Sequence, residues 1–282
     1  MFDKQIFTPS DVRLRRHGPA VDGGVDWLLL PGGPGLGSES LTELADIIAG
    51  IEGSGSVYLV DLPGDGSNID PPVPADVDER FAKWPGVLIE AAEAVPGAVF
   101  AGHSTGGMYL LSTPGLAGLI TGLVLISSAP NANWLAAFAE MTRRHPLPAV
   151  DSAAKAYGLD PTPSHLRDLT VASAEWNFTP PTVDYGQRLL KRLPYNVDAV
   201  DWSDRNFDHT YAHQWLPDVP TLILSGGEDR IVDQSLWDDD PSFSRANILH
   251  RTIPNGAHFP WIDQPDAVRE CLMEFVGTLE LE

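Results

Sequence analysis

The sequence predicts an α/β fold in which helices flank a mostly parallel central sheet. Short apolar runs, each bounded by glycine or proline, alternate along the chain with longer segments whose apolar residues have helical spacing. The runs lack the alternating polar residues of a sheet with one face in water, so we expect strands buried on both faces. These runs span residues 26–30, 57–60, 98–101, 123–127, 221–225 and 247–253.

Helices are predicted between these runs and after the last of them. Residues 40–49 and 81–95 have helical spacing, and from Pro265 onward apolar residues recur at intervals of three and four. We expect this last helix to dock on the sheet. The opening segments 4–7 and 12–17 predict an antiparallel hairpin at the sheet edge.

The alternation stops between about residue 131 and residue 215. This region has no strand-like run, and its helical candidates are rich in aromatic residues and separated by proline turns such as "NFTPPT". We interpret it as a helical insertion over the sheet and call it the cap. The predicted organisation is therefore one domain, with the core in residues 1–130 and 216–282 and the cap in residues 131–215.

Composition limits the partners that this chain can have. With 39 acidic and 18 basic residues the net charge is -21, which repels nucleic-acid phosphates and anionic lipid headgroups. Acidity also keeps a protein dissolved, so it identifies no ligand by itself, although a neutral or cationic small molecule suits it best. The single cysteine, Cys271, excludes an internal disulfide framework. We find no secretion signal and no apolar segment of spanning length, so the expected location is the cytoplasm. Assembly into a homo-oligomer is compatible with the sequence.

The stretch "AVFAGHSTGGMY" contains the first candidate catalytic residue, Ser104. A buried strand leads into Gly102-His103-Ser104-Thr105-Gly106, and a helix can start at Thr105. Strand, tight turn and helix around G-x-S-x-G form a nucleophile elbow, in which the serine adopts a strained backbone conformation. Side chains two residues away on either side would collide with the neighbouring strand and helix, which explains Gly102 and Gly106.

A serine hydroxyl is a weak nucleophile, so it needs a histidine base and a carboxylate that orients the base. His258 follows the last predicted strand, and Asp229 follows the strand at 221–225, so both lie at the sheet edge where Ser104 is expected. Glu228 and Asp233 remain competitors of Asp229. We expect His103 to pack or hydrogen-bond beneath the elbow instead of acting as the base.

The tetrahedral intermediate of such a reaction needs two fixed N–H donors. One is expected from the backbone of Thr105, and the other from Gly33 in the loop "PGGPGLGS". A dinucleotide loop would need a third glycine where Ser38 stands, and a phosphate loop would need lysine there. A plain turn is the remaining alternative for this loop.

Together these motifs resemble the α/β-hydrolase superfamily, in its branch with a serine nucleophile and a helical lid. The resemblance extends over nearly the whole chain and includes the glycine loop, "VDLPGDGSN", the elbow, "GGEDRIVD" and "GAHFPWIDQP". It implies a triad of Ser104, Asp229 and His258, and a cap that forms the substrate pocket. The glycine loop is similar to that of proline iminopeptidases and their esterase relatives, although Pro31 replaces their usual histidine.

The expected activity is hydrolysis of an ester or amide of a small, mainly apolar substrate through an acyl-enzyme on Ser104, without a cofactor. An aminopeptidase would need carboxylates in the cap, for example Glu140, Glu175 or Asp184, to hold the substrate ammonium. Carbon–carbon hydrolases, lyases and cofactor-free oxygenases resemble the same framework, and a non-catalytic ligand receptor is a further alternative. His209 and His213 have the helical spacing of two zinc ligands, but Thr210 stands where the H-E-x-x-H glutamate belongs, so no metal is expected.

Overall fold

A computed structural model describes residues 4–69 and 76–279, except for the side chain of Val77. Its centre is one sheet of eight strands in the order β1-β2-β4-β3-β5-β6-β7-β8. The strands are β1 (Gln5–Phe7), β2 (Arg13–His17), β3 (Val25–Leu30), β4 (Ser54–Asp61), β5 (Val99–His103), β6 (Gly122–Ile126), β7 (Thr221–Gly226) and β8 (Ile248–Ile253). The structure thus confirms the predicted strands and the edge hairpin.

Strand direction follows the prediction of a mostly parallel sheet. Neighbouring strands along the series β4-β3-β5-β6-β7-β8 are parallel. The edge strands β1 and β2 are antiparallel to each other, and β2 is antiparallel to β4. Every residue of β4, β5, β6 and β7 is buried, as expected of strands covered on both faces. The carboxyl ends of the parallel strands therefore meet at one edge.

Helices cover both faces of the sheet. The structure has α1 (Thr42–Ala49), α2 (Val77–Ala82), α3 (Trp84–Ala94), α4 (Thr105–Leu111), α5 (Trp134–Arg144), α6 (Pro148–Leu159), α7 (Pro163–Ala172), α8 (Ala174–Asn177), α9 (Val183–Leu190), α10 (Val197–Ser203), α11 (Pro260–Asp263) and α12 (Pro265–Val276). One core cluster joins Trp27 and Leu29 of β3 to α1 and α12, and a second joins Leu28 and Leu30 to α3 and α4. Alternate residues of one strand thus enter opposite cores, because successive side chains point to opposite faces.

The single helical stretch predicted over residues 81–95 is two helices. The first ends at Ala82, and the second begins at Trp84 with Pro85 in its first turn. Proline has no N–H to donate to the preceding turn, and its ring takes the space of that turn's carbonyl, so a helix starts there more readily than it continues. Helical periodicity alone did not show this break.

The region between β6 and β7 is helical, from α5 to α10, with a π turn at residues 204–208. The domain boundaries at residues 130/131 and 215/216 stay a prediction, and parts of the first and last ranges, residues 1–3, 70–75 and 280–282, lie outside the described residues. Among the described helices, none has the length and apolar character needed to cross a bilayer.

Candidate active site

Ser104 lies between β5 and α4 in a strained backbone conformation. Its φ of 51° and ψ of -123° are rare for a residue with a side chain. Its N–H donates to the carbonyl of Ile126 on β6 at 2.8 Å, and its own carbonyl accepts from the Ser128 hydroxyl at 2.9 Å. These two bonds from the neighbouring strand and its following loop hold the strained residue in place.

The elbow glycines are explained by close approaches of backbone. A Cβ atom on Gly102 would lie 2.5 Å from the Gly107 nitrogen, and one on Gly106 would lie 2.5 Å from the Pro31 carbonyl oxygen. Both distances are far below van der Waals contact. The structure therefore confirms the predicted collisions with the following helix and the neighbouring strand.

Gly32 lies directly against the candidate nucleophile, a role that no local sequence pattern indicates. A Cβ atom there would lie 2.7 Å from the Ser104 Cβ and 2.8 Å from the His103 carbonyl oxygen. The double glycine of "PGGPG" is a sequence sign of a close backbone approach, but only the fold shows that the loop approaches the elbow. Gly32 therefore belongs to the site because no side chain fits at this position.

We expect Gly32→Ala to reduce ester turnover by about 100-fold, since a displacement of the reacting group by about 1 Å has that cost. Turnover per folded molecule, with folding checked by circular dichroism, measures this effect. The matched control is Gly86→Ala in α3, where an added Cβ has no atom within 4 Å. That control should keep full activity and gain about 0.5–1 kcal/mol of stability. Full activity in Gly32→Ala would contradict the tight approach.

Asp229 and His258 meet at the carboxyl edge of the sheet. The His258 Nδ1 atom lies 3.0 Å from the Asp229 Oδ2 atom, and the two side chains are 1% and 5% exposed for the acid and the base respectively. The carboxylate also accepts from the N–H groups of Ile231 and Val232 and from the side-chain amide of Gln234, at 2.8, 3.1 and 3.1 Å. These donors fix the carboxylate, and Nδ1 facing it leaves Nε2 as the free ring nitrogen of His258.

Direct contacts between the loops after β7 and β8 bring this pair together. The Glu228 N–H donates to the Gly256 carbonyl at 2.8 Å, and a Cβ atom on Gly226 would lie 2.1 Å from the Ala257 carbonyl oxygen. The competing acids are placed elsewhere: Glu228 lines a separate cavity, and Asp233 accepts from the Ser235 N–H at 3.0 Å. Of the three candidate acids, the structure brings Asp229 to His258.

His103 lies under the elbow, in the position expected for a packing residue. Its Nε2 atom donates to the His258 carbonyl at 2.9 Å, and its ring contacts those of His258, Phe259 and Trp261 at 4.8 Å between centroids. Burial, together with the charge of His258 when protonated, holds the pKa of His103 well below its usual value. His103 is therefore neutral at physiological pH and fixes the main chain at His258.

Gly33 and Thr105, which are predicted to supply the two N–H donors, line the same cavity as Ser104. Thr105 is the first residue of α4, so its N–H has no acceptor within the helix, and its hydroxyl donates to the Gly33 carbonyl at 3.3 Å. The glycine loop is held from below by Asp61 at the end of β4, which accepts from the Ser38 N–H at 3.2 Å and from the Ser38 hydroxyl at 2.7 Å. This contact gives the motif "VDLPGDGSN" a role in placing the loop.

A cavity of about 220 Å³ opens above these groups. Core residues of the site form its floor, and cap helices form most of its remaining wall. Its lining residues are Gly33, Pro34, Leu36, His103, Ser104, Thr105, Trp134, Leu166, Thr170, Ser173, Asn177, Leu190, Tyr195, Val200, Ile231, His258 and Phe259. The described lining has no Asp, Glu, Lys or Arg side chain, so the cavity suits an uncharged molecule.

The carboxylates considered for an ammonium site do not line this cavity. Glu140 pairs with Arg143 and Arg144 on α5, Glu175 lines a separate cavity with Arg230, and Asp184 is exposed in the first turn of α9. His209 and His213 follow the end of the π turn and share no helix. Across the ranges 4–69 and 76–279, no three His, Cys, Asp or Glu side chains are arranged to hold a metal ion.

Asp65, beside the glycine loop, predicts a pH-dependent stability. Burial raises its pKa to about 6, although N–H groups of Gly66 and Gly35 donate to it. The unfolded carboxyl ionises nearer pH 4, so between about pH 4 and pH 6 the folded state keeps a proton that the unfolded state has lost. The contribution of Asp65 to the free energy of unfolding therefore decreases as pH rises through this window.

As pH rises from about 4 to about 6, we expect Asp65→Asn, whose amide resembles the protonated acid, to gain about 2 kcal/mol in its free energy of unfolding relative to wild type. Urea unfolding of both proteins across that range measures the difference. A difference that is constant with pH would contradict the raised pKa.

Comparison with known proteins gives the chain a family. Residues 27–270 match the alpha/beta hydrolase family. A pimeloyl-[acyl-carrier protein] methyl ester esterase of Xylella fastidiosa (strain M23) is 25% identical over 246 residues, which cover 79% of this chain and 86% of the relative.

Two solved structures are similar in fold. The proline iminopeptidase-related protein from Thermus thermophilus has a TM-score of 0.70 and 22% identity, with 99% of each chain covered. An esterase from Rhodococcus sp. ECU1013 has a TM-score of 0.71 and 18% identity, with 99% of this chain and 100% of the other covered. At these identities the likeness concerns the fold.

Proposed function

This chain belongs to the alpha/beta hydrolase family, and from that premise we propose that it hydrolyses an ester of a small, uncharged, mainly apolar substrate. The observation that carries the proposal is the 3.0 Å contact between His258 and Asp229, together with a cavity that both His258 and the strained Ser104 line. The curated relative is named for a methyl ester, which supports an ester substrate here.

In the proposed reaction the Ser104 oxygen attacks the ester carbonyl carbon, while the His258 Nε2 atom takes the hydroxyl proton. The carbonyl oxygen becomes an oxyanion that accepts from the N–H groups of Gly33 and Thr105. The C–O bond then breaks, the alcohol leaves with the proton from His258, and the acyl group stays on Ser104. Water, deprotonated by the same histidine, then attacks the acyl carbon, the bond to the Ser104 oxygen breaks as His258 returns the proton to that oxygen, and the acid leaves. Asp229 stabilises the imidazolium in both halves.

The cavity wall favours esters over aminoacyl amides. An aminopeptidase must hold a substrate ammonium, and the carboxylates considered for that role line other parts of the surface. An uncharged wall of Leu166, Leu190 and Val200 offers an ammonium no counter-charge. The proposal therefore places the activity with esters.

A panel of substrates tests this function. Neutral p-nitrophenyl and methyl esters of increasing acyl length are compared with aminoacyl fluorogenic amides, each with wild type and with His258→Ala. We expect turnover of the short neutral esters, with loss in the variant, and none of the amides. Turnover of the aminoacyl amides alone would favour the aminopeptidase, and no turnover together with no serine labelling would favour a lyase, an oxygenase or a receptor.

A further inference from the structure

Asp263, in α11, is a buried carboxylate that joins the cap to the loop of His258. Its Oδ2 atom accepts from the Ala257 N–H at 2.7 Å, one residue before His258. Its Oδ1 atom accepts from the N–H and hydroxyl of Thr179 at 3.2 and 2.9 Å, and from the Thr182 hydroxyl. The two oxygens of one carboxylate thus hold two segments that are far apart in sequence.

A second contact joins the same two segments on the other side of His258. The ring of Phe178, in the cap, stacks on Phe259 with 4.8 Å between centroids and 21° between planes. Gly186 in α9 allows this packing, because a Cβ atom there would lie 2.2 Å from the Phe178 ring. Cap residues 178–182, the docking segment, therefore contact Phe259 directly and contact Ala257 through Asp263.

Two contacts with the core act on His258 itself. His103 donates to the His258 carbonyl, and Asp229 accepts from the ring, but neither contact fixes the main chain at Ala257. That position is fixed by Asp263, whose orientation depends on the donors of Thr179 and Thr182. Movement of the docking segment away from the core would break these bonds and separate the stacked rings.

We propose that Asp263 is a positioning residue for His258, through which the docking segment of the cap keeps the catalytic base aligned. This inference rests on the proposed function, because it assigns Asp263 to the alignment of that base. It requires the docking segment to stay attached while the base is in use, so substrate must enter along another part of the cap.

The key variant is Asp263→Asn. All four partners of this carboxylate donate to it, and an amide has one acceptor oxygen, so either Ala257 or the threonines lose their acceptor. We expect the rate of Ser104 labelling by a fluorophosphonate and kcat for an ester to fall about 10- to 100-fold, with KM nearly unchanged. Asp266→Asn, an exposed carboxylate three residues later, is the matched control and should label at the wild-type rate.

Thr182→Val gives an independent readout, since it removes one cap donor and leaves the bond between Asp263 and Ala257. We expect a smaller fall, about 3- to 10-fold, and no further fall when it is combined with Asp263→Asn, because both variants act through one carboxylate. If Asp263→Asn does not fold, the labelling rate of Thr182→Val tests the inference by itself. The inference would be overturned if the two variants reduced the labelling rate multiplicatively, or if either variant lowered Tm and left the labelling rate unchanged. Wild type that does not label at all would instead refute the proposed function, and the inference with it.

Discussion

Replacing Ser104 by alanine should reduce ester turnover by about 10³- to 10⁶-fold and abolish labelling by a fluorophosphonate. The hydroxyl is the proposed nucleophile, and in well-studied serine hydrolases the loss of one member of the triad removes most of the rate enhancement. The residue is 8% exposed and its backbone is held by Ile126 and Ser128, so the change removes one oxygen with little effect on the fold. Intact mass spectrometry measures the adduct, and initial rates measure turnover.

Ser112→Ala is the matched control for this experiment. Ser112 is also buried and lies at the other end of α4, but its hydroxyl donates to the Met108 carbonyl within the helix. It should label and turn over substrate like wild type. Residual turnover of more than about a tenth in Ser104→Ala would show that the serine is not the nucleophile, and would favour a reaction that uses His258 only as a base.

The sheet and the elbow could be predicted because their signals are local. Strands β3 to β7 are short apolar runs, and the elbow needs glycine at fixed spacing from Ser104. Chain order then limited the base and the acid to the ends of the strands that follow. Each of these inferences uses residues that are neighbours in sequence.

The remaining parts of the site depend on contacts between distant residues. Asp263 lies in the quoted motif "GAHFPWIDQP", but its partner Thr179 is 84 positions away, so no local pattern shows the contact. The choice of Asp229 over Glu228 and Asp233 depends on where the N–H groups of Ile231 and Val232 point. The residues of the cavity wall also come from distant parts of the chain. Helical spacing in the cap identifies its helices but does not show which face of each helix covers Ser104.

The second large effect is expected for Asp229→Asn, with a loss of about 10⁴-fold in kcat, as for the equivalent change in serine proteases. The carboxylate accepts from two backbone N–H groups, from Gln234 and from the His258 Nδ1 atom. An amide retains only one acceptor, so its NH₂ group has to face a donor or the ring. When the NH₂ faces Nδ1, it donates there and moves the ring proton to Nε2, where it blocks transfer from Ser104.

Asp233→Asn separates this role from general loss of acidity in the same loop. Asp233 accepts from the Ser235 N–H and hydroxyl at 3.0 and 2.7 Å, a capping contact that asparagine also makes. We expect this control to keep wild-type kcat and labelling, whereas Asp229→Asn should lose both in parallel. Parallel loss is the decisive result, since labelling needs the Ser104 and His258 pair but no ester substrate. A fall in ester turnover with unchanged labelling would assign Asp229 to substrate binding and leave the orientation of His258 to other contacts.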